Sequence, residues 1–378
     1  MARYIADRDF SMAGQQVDLF LDQLIDAPIK DDRALMEFPF FTLQKQPRHE
    51  PFRYDDGAVT IDIQPGPKGM ASIYDKDVLI YLASVLNDRI ERGAPVDRTI
   101  RFPAYDFLKV TGRGTGKRAY ELFLDALFRL RSTTIVTTIV AGDQKERRGF
   151  GWIESWRIIE RETASGQKVM AAVEITLNDW MFRAVVKDRR VLTINRDYFS
   201  LTMGLERRLY ELARKHVGHQ PEWVIGLARL AEKCGSSREV RKFKTDLQKI
   251  ITRASIPDYR VELVVAGAED ERPFRTRDGQ PMVRFTPLDP ATVVIKPRTT
   301  EDQAVTILPP IAEAAAGDAV PRISIKTFEE ARRLFPGYDV EHLERRWQAW
   351  TAERAGNLRN PDKAFLAWCR TYTSNNPL

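Results

Sequence analysis

The stretch 110–140, VTGRGTGKRAYELFLDALFRLRSTTIVTTIV, combines a glycine-rich corner, an amphipathic segment and a run of β-branched residues. Its centre, GRGTGKR, resembles a phosphate-binding loop, which requires G-x-x-x-x-G-K-[ST] so that backbone amides surround phosphates and a hydroxyl binds magnesium. If Gly116 and Lys117 formed the GK pair, Thr111 would replace the first glycine and Arg118 the hydroxyl residue. We therefore interpret the glycines as a corner ahead of a helix.

Local patterns predict the elements on both sides of this corner. A strand and a short helix opening at Pro103 precede it, and a helix over 117–130 follows it. The eight residues TTIVTTIV predict a strand, because β-branched side chains favour extended backbone. Further strands are predicted at 35–43, 57–63, 150–159 and 168–177, a basic turn at 141–149, and a helix from the N-cap Asp75 to Gly93.

The same order of elements recurs later in the chain. Aligning Gly112 with Gly235 gives an offset of 123 residues, which places Leu127 on Ile250 and Arg118 on Arg241. Around Gly235 the pattern again predicts a helix, a short strand, a short helix, a corner, a longer helix and a strand. We interpret the chain as two copies of one unit.

Each unit, a compact helix-turn-helix followed by an antiparallel ribbon, predicts a winged helix. The predicted fold class is therefore α+β, with two tandem winged-helix domains plus a small C-terminal helical module. The predicted divisions are a flexible N-terminal arm (1–35), a first winged-helix domain (36–187), a second (188–290), a Pro/Ala/Thr-rich linker (291–322) and the module (323–378), with Trp347, Trp350 and Trp368 in its core.

The positive charge of the chain is concentrated in the two helix-turn-helix segments. Residues 101–131 hold seven Lys/Arg and three Asp/Glu, and residues 226–260 hold nine and four. Because the whole chain carries net charge +6, the remainder carries −3. This distribution is typical of a protein that binds DNA.

The longer helix of the second unit has two contrasting faces. Its predicted core face comprises Val240, Phe243, Leu247, Ile250 and Ile251, and its opposite face has no acidic residue. An apolar stripe backed by a basic one suits a helix that enters the major groove. The predicted DNA contacts of this unit are Ser236, Ser237, Arg238, Arg241, Lys242, Thr245 and Lys249.

The longer helix of the first unit carries Glu121 and Asp125 on its outer face, where they would repel phosphates. We expect DNA contacts at its start, from Arg113, Lys117 and Arg118, and on the wing. The predicted wing contacts are Lys145, Arg147 and Arg148. The outer face could instead contact protein.

Other functional classes find little support in the sequence. The two cysteines suggest a reducing cytoplasm, and the chain contains neither an apolar N-terminal run nor an apolar stretch of 18 residues, so we expect no membrane segment. The His216/His219 pair has no third ligand nearby and predicts a solvated helix end. We expect no catalytic group, no metal and no cofactor.

As a whole pattern, the chain resembles the replication initiator protein A family of plasmid initiators over residues 35–290. The resemblance rests on the order of the units and on LMEFPFFTLQKQ, IYDKDVLIYLASVL, TGKRAYELFLDALFRLRSTTI and LERRLYELARKH. It implies a cytoplasmic protein that binds double-stranded DNA at direct repeats (iterons) of a plasmid origin. It further implies origin opening, recruitment of host initiator, helicase and polymerase machinery, and a possible homodimer in copy control.

The N-terminal arm contains QQVDLF, which is similar to the peptide that bacterial proteins insert into the polymerase sliding clamp. In this comparison Leu19 and Phe20 would fill the hydrophobic pocket of the clamp, and Gln16 would form a hydrogen bond at its edge. Asp18 occupies the position of the motif that takes serine or aspartate. Val17 departs from the usual leucine. A helix packed on the first domain is the alternative for this segment.

Three other functions remain open at this stage. A transcriptional repressor would bind a palindromic operator as a dimer, and a nucleotide-hydrolysing enzyme would use GRGTGK. A metal-dependent nicking enzyme is disfavoured because no His-x-His pair appears.

Overall fold

The computed structural model describes residues 28–56, 59–141, 144–162, 168–187, 191–218, 220–264, 281–289, 323–335, 338, 340–352 and 360–376. The strands are β1 (Ile29–Asp32), β2 (Phe52–Asp55), β3 (Thr60–Gln64), β4 (Thr99–Phe102), β5 (Thr134–Ala141), β6 (Gln144–Phe150), β7 (Ile153–Glu162), β8 (Lys168–Leu177), β9 (Val191–Ile194), β10 (Trp223–Gly226), β11 (Tyr259–Val264) and β12 (Met282–Pro287). The helices are α1 (Arg33–Glu37), α2 (Lys76–Glu91), α3 (Ala104–Val110), α4 (Lys117–Ser132), α5 (Asp179–Val186), α6 (Gly204–Val217), α7 (Leu227–Lys233), α8 (Val240–Arg253), α9 (Ile325–Leu334), α10 (Val340–Ala352) and α11 (Pro361–Asn375).

Two three-stranded antiparallel sheets with the same topology confirm the two winged helices. In the first unit α2, β4, α3 and α4 precede the β7–β8 hairpin, and the strand order is β4-β8-β7. In the second unit α6, β10, α7 and α8 precede the β11–β12 hairpin, and the order is β10-β12-β11. The hairpin of each sheet occupies the place of the wing.

The two helix-turn-helix corners are built alike at the predicted offset. Gly112 and Gly235 have φ values of +66° and +67°, a region that glycine adopts without steric cost. The next amide in each corner reaches back five residues, from Arg113 to the Leu108 carbonyl at 2.7 Å and from Ser236 to the Ala231 carbonyl at 3.0 Å. These hydrogen bonds end α3 and α7 as a Schellman motif does.

The first unit carries an additional four-stranded sheet, β2-β3-β5-β6, which corrects two predictions. The basic segment 141–149 is strand β6 over most of its length, not a turn, because it pairs with β5 from Ala141↔Gln144 to Ile135↔Phe150. The apolar segment 35–43 is not a strand. It begins in α1 and continues irregularly into the core, and an apolar run alone does not distinguish these cases.

One continuous apolar core runs through both winged-helix units. Strand β1 pairs with β9, from Ile29↔Ile194 to Asp32↔Val191, so the chain before the first unit is hydrogen-bonded to the start of the second. The arm predicted over 1–35 was therefore too long at its C-terminal end, because the buried Ile29 and Leu35 belong to this core.

Helices α9, α10 and α11 pack around a second, smaller core. Trp347 is fully buried there and contacts Phe365, with 5.4 Å between ring centroids. Trp368 is half-buried, packs against this core and stacks on Tyr372. Trp350 is 37% exposed, so the prediction of three core tryptophans fails for Trp350. The third helix begins at Pro361, and the side chain of Asn360 accepts a hydrogen bond from the first turn.

Candidate nucleic-acid interface

Helix α8 buries one face and exposes a basic one. Phe243, Leu247 and Ile250 are buried against the rest of the second unit, as the periodicity predicts. Val240 is an exception, since it is 40% exposed at the first residue of the helix. The exposed residues of the predicted contact set are Ser237, Arg238, Arg241, Lys242, Thr245 and Lys249, and Ser236 is half-buried in the corner.

Two acidic side chains lie beside the basic face of α8. Asp246 is 2.5 Å from Arg238 and 3.6 Å from Lys249, while Glu239 is 3.7 Å from Lys242. Pairs as exposed as these contribute at most about 1 kcal/mol, so a phosphate could compete for the cations.

Arg241 differs from Arg238, Lys242 and Lys249 on α8. It is exposed and forms no ion pair with any residue in the described part of the chain. Its charge is therefore available to a ligand without disruption of an internal ion pair. A guanidinium can bind guanine through two hydrogen bonds, whereas an amine acts as a point charge.

The start of α4 in the first unit is divided between solvent and interior. Lys117 and Arg118 are exposed, and Arg118 forms an exposed pair with Glu121 at 3.2 Å. Arg113 is held inward, because its guanidinium donates to the Tyr74 carbonyl at 2.6 Å and to Asp77 at 2.9 Å. The geometry thus gives Arg113 a structural contact within the protein.

The outer face of α4 is partly apolar. Leu122 and Phe128 are each 43% exposed, and Phe128 packs against Trp156 with 5.0 Å between ring centroids. Asp125 pairs with Lys68, whose ammonium also lies over the Phe128 ring. This face therefore lacks the row of basic side chains seen on α8.

Asp75 occupies the N-cap position predicted for α2, but its carboxylate is used elsewhere. It accepts hydrogen bonds from Arg129 on α4 at 2.7 and 2.8 Å and from the Ser72 amide at 2.8 Å. The hydrogen bond with Asp75 raises the pKa of Arg129 above its ordinary value. Arg129 thus fixes α4 to α2.

Lys145, Arg147 and Arg148 lie in β6, opposite Val140, Thr138 and Thr137 of β5 respectively. This hairpin belongs to the additional four-stranded sheet. The topological counterpart of the second unit's wing is β7–β8, so the predicted wing of the first unit was placed on the wrong hairpin.

Sequence patterns also missed Arg260 on the wing of the second unit. It is exposed on β11 between the buried Tyr259 and Val261. The alternation of polar and apolar residues in YRVEL could have indicated an outward-facing cation at this position.

Of the remaining predicted sites, the histidine pair is only partly described and the clamp-like segment is not described. His216 is buried and stacks on Trp223 with 4.4 Å between ring centroids, so the expected solvated helix end was wrong. The clamp-like segment with Gln16, Asp18, Leu19 and Phe20 lies outside the described residues.

Within the described ranges, no group of three or more His, Cys, Asp or Glu side chains could hold a metal ion. No helix among them has the length and apolarity to cross a membrane.

Comparison with known proteins assigns the chain to a family. The model of the family "Replication initiator protein A" matches residues 30–261. A putative replication protein of Wigglesworthia glossinidia brevipalpis is 36% identical over 228 residues, which cover 60% of this chain and 82% of that protein. Among solved structures, domains 2 and 3 of RctB align with a TM-score of 0.49 and 13% identity over 67% of this chain and 97% of that one. The Pi initiator protein in complex with iteron DNA aligns with a TM-score of 0.39 and 17% identity over 57% of this chain and 91% of that one. Given the matched range and the identity of this relative, the chain belongs to the replication initiator protein A family.

Proposed function

We propose that this protein initiates plasmid replication by binding direct repeats in the origin as a sequence-specific DNA-binding protein. The basic outer face of α8, backed by buried Phe243, Leu247 and Ile250, carries this proposal. A helix in that position of a winged helix enters the major groove, and the ribbon contacts the backbone.

The two units have unequal roles in this proposal. Helix α8 supplies the principal base contacts through Arg238, Arg241 and Lys242, while Lys117 and Arg118 hold phosphates at the start of α4. Two units on one face of a duplex would contact grooves about one helical turn apart, so the site would span about 20 base pairs.

Binding to an iteron array tests this function directly. We expect one chain per direct repeat, and we expect affinity to fall by about a thousandfold or more between 50 and 200 mM salt if at least six phosphates are contacted. Titration by fluorescence anisotropy at several salt concentrations, with a scrambled duplex as control, measures both quantities. Equal affinity for the repeat and the scrambled duplex would contradict sequence-specific binding.

A dimeric repressor is the main alternative, and stoichiometry separates the two functions. A repressor would place two chains on a two-fold symmetric site. Origin opening and recruitment of the host initiator and helicase belong to the same proposal, with family membership as their support. A homodimer would then serve copy control.

We further propose that Gln16, Asp18, Leu19 and Phe20 bind the bacterial sliding clamp. The double substitution Leu19→Ala/Phe20→Ala is expected to reduce retention on immobilised clamp by at least tenfold, because both pocket-filling side chains are removed. Equal retention of the wild type and this variant would refute the clamp contact. A variant with Asp26→Ala, outside the motif, is the matched control.

A further inference from the structure

Two buried carboxylates join the C-terminal module to the winged-helix units. The first is Glu37, the last residue of α1, which is fully buried. Lys215 and His216 of α6 lie 2.5 and 3.0 Å from it, Lys233 of α7 donates to it, and Arg345 of α10 lies 3.3 Å away. Burial alone would raise the pKa of Glu37, but attraction to these cations lowers it well below its ordinary value.

The second carboxylate is Asp56, which follows β2 in the first unit. Arg345 and His342 of α10 lie 3.3 and 3.4 Å from its Oδ2, and Arg229 of α7 lies 3.6 Å from it. Arg229 is also 2.8 Å from the Nδ1 atom of His342. Burial opposes ionisation of Asp56, but hydrogen bonding and charge from His342 and Arg345 lower its pKa below the ordinary value.

Arg345 therefore joins the C-terminal module to two carboxylates of the first unit, and both carboxylates also lie close to α7 of the second unit. Its guanidinium contacts both carboxylates and lies 5.1 Å from the ring centroid of Phe38, and its side chain is only 12% exposed. Helix α7, which shares both carboxylates through Arg229 and Lys233, is the first helix of the second helix-turn-helix. Because the corner at Gly235 fixes α7 to α8, any shift of α7 moves the DNA-facing helix.

The two units already share one apolar core and the β1–β9 pairing. We propose that Arg345 and His342 of the C-terminal module are positioning residues that further restrict α7, and with it α8, against the first unit. They thereby set the distance between the DNA-contacting surfaces of the two units, and so the spacing of the two grooves that can be contacted together. The inference rests on the proposed function only in assuming that both units contact one duplex.

Both carboxylates keep other partners when the module side chains are removed. Without Arg345, Glu37 still has Lys215, His216 and Lys233 as partners. Without both module side chains, Asp56 still accepts a hydrogen bond from the Val59 amide at 2.8 Å and lies near Arg229. Substitutions in α10 are therefore expected to change the relative position of the units without unfolding them.

The DNA experiment compares Arg345→Ala/His342→Ala with the matched control Arg346→Ala. Arg346 is the neighbouring cation on α10 and lies over Tyr372 within the module. Each protein is titrated with the duplex that the wild type selects from a random pool. Two further duplexes are compared with it: one carries one to three base pairs inserted at its centre, and the other contains only the half contacted by the second unit. We expect the affinity of the double variant to fall about tenfold on the full site and less than twofold on the half-site, because the advantage of rigid linkage disappears. We also expect the double variant to discriminate less between duplexes with different central insertions. The variant Arg345→Lys should retain part of this discrimination.

Unchanged full-site affinity, or an equal decrease on the full site and the half-site, would overturn the positioning role. A measurement without DNA keeps the inference separate from the proposed function. Spin labels at Leu122→Cys on α4 and Lys249→Cys on α8 report the distance between the units, because native Cys234 and Cys369 are buried. A distance distribution that broadens in the double variant but not in Arg346→Ala is expected. An unchanged distance distribution would overturn the inference even if DNA binding is confirmed. If DNA binding fails, the distance measurement still tests the positioning role.

Discussion

Replacing Glu37 with Gln is expected to lower the free energy of unfolding by about 3–5 kcal/mol. The neutral amide removes the compensating charge beside Lys215 and Lys233, and both of these side chains are fully buried. Removing one partner from a buried ionic cluster costs far more than removing one partner of an exposed pair. Urea denaturation at pH 7 measures the change. The control Glu121→Gln removes an exposed partner of Arg118 and should cost less than about 1 kcal/mol.

The same variant has a defined pH signature. Because the folded protein depresses the pKa of Glu37, the ionised carboxylate stabilises the fold above its ordinary pKa of 4.5, and this contribution is lost as pH falls below that value. The difference in unfolding free energy between wild type and Glu37→Gln should therefore shrink as pH falls from about 5.5 towards 3. A difference that stays constant down to pH 3 would show that the charge of Glu37 is not its source.

The second large effect is expected on DNA binding. Arg241→Ala/Lys242→Ala should weaken binding to the selected site by about 1–3 kcal/mol for each base-contacting side chain, which is about tenfold or more. Arg118→Ala should cost much less, because Arg118 already pairs with Glu121 and lies at the end of the less basic helix. All three side chains are exposed, so thermal unfolding should be unchanged.

Fluorescence anisotropy with specific and scrambled duplexes distinguishes base recognition from phosphate binding. If Arg241 recognises a base, its replacement by alanine lowers affinity for the specific duplex and relaxes sequence specificity. If Arg241 binds a phosphate, the same replacement lowers affinity for both duplexes to a similar extent. Equal decreases in affinity from the substitutions in α8 and at Arg118 would contradict the unequal roles of the two units.

The helix-turn-helix repeat could be predicted because its determinants are local. Gly112 and Gly235 are required where the chain turns with positive φ, and their hydrogen bonds to the preceding helices recur at the same offset. The buried Leu127 and Ile250 follow from helical periodicity in the same way. Val240 failed this test, since periodicity does not reveal that the first residue of α8 lies at the edge of the core and is 40% exposed.

The contacts of Glu37 and Asp56 with the C-terminal module could not be predicted because the partners are distant in sequence. Glu37 and Arg345 are separated by 308 residues, and nothing in the sequence near either residue indicates the other. Arg113 was assigned to DNA from its position beside the glycine corner, whereas Asp77, 36 residues earlier, holds it inside the protein. A charged residue looks the same in sequence whether it faces solvent or a buried partner.

Selection from a random duplex pool with the purified full chain, at about 150 mM salt, tests the central proposal most directly. We expect enrichment of one asymmetric motif of about 20 base pairs, with its strongest positions clustered in the half contacted by α8, and direct repeats of that motif in the replicon that carries the gene. A two-fold symmetric motif, or a pool without enrichment, would contradict a direct-repeat initiator. The first result would favour the dimeric repressor. The second would mean that the basic face of α8 holds phosphates without recognising sequence.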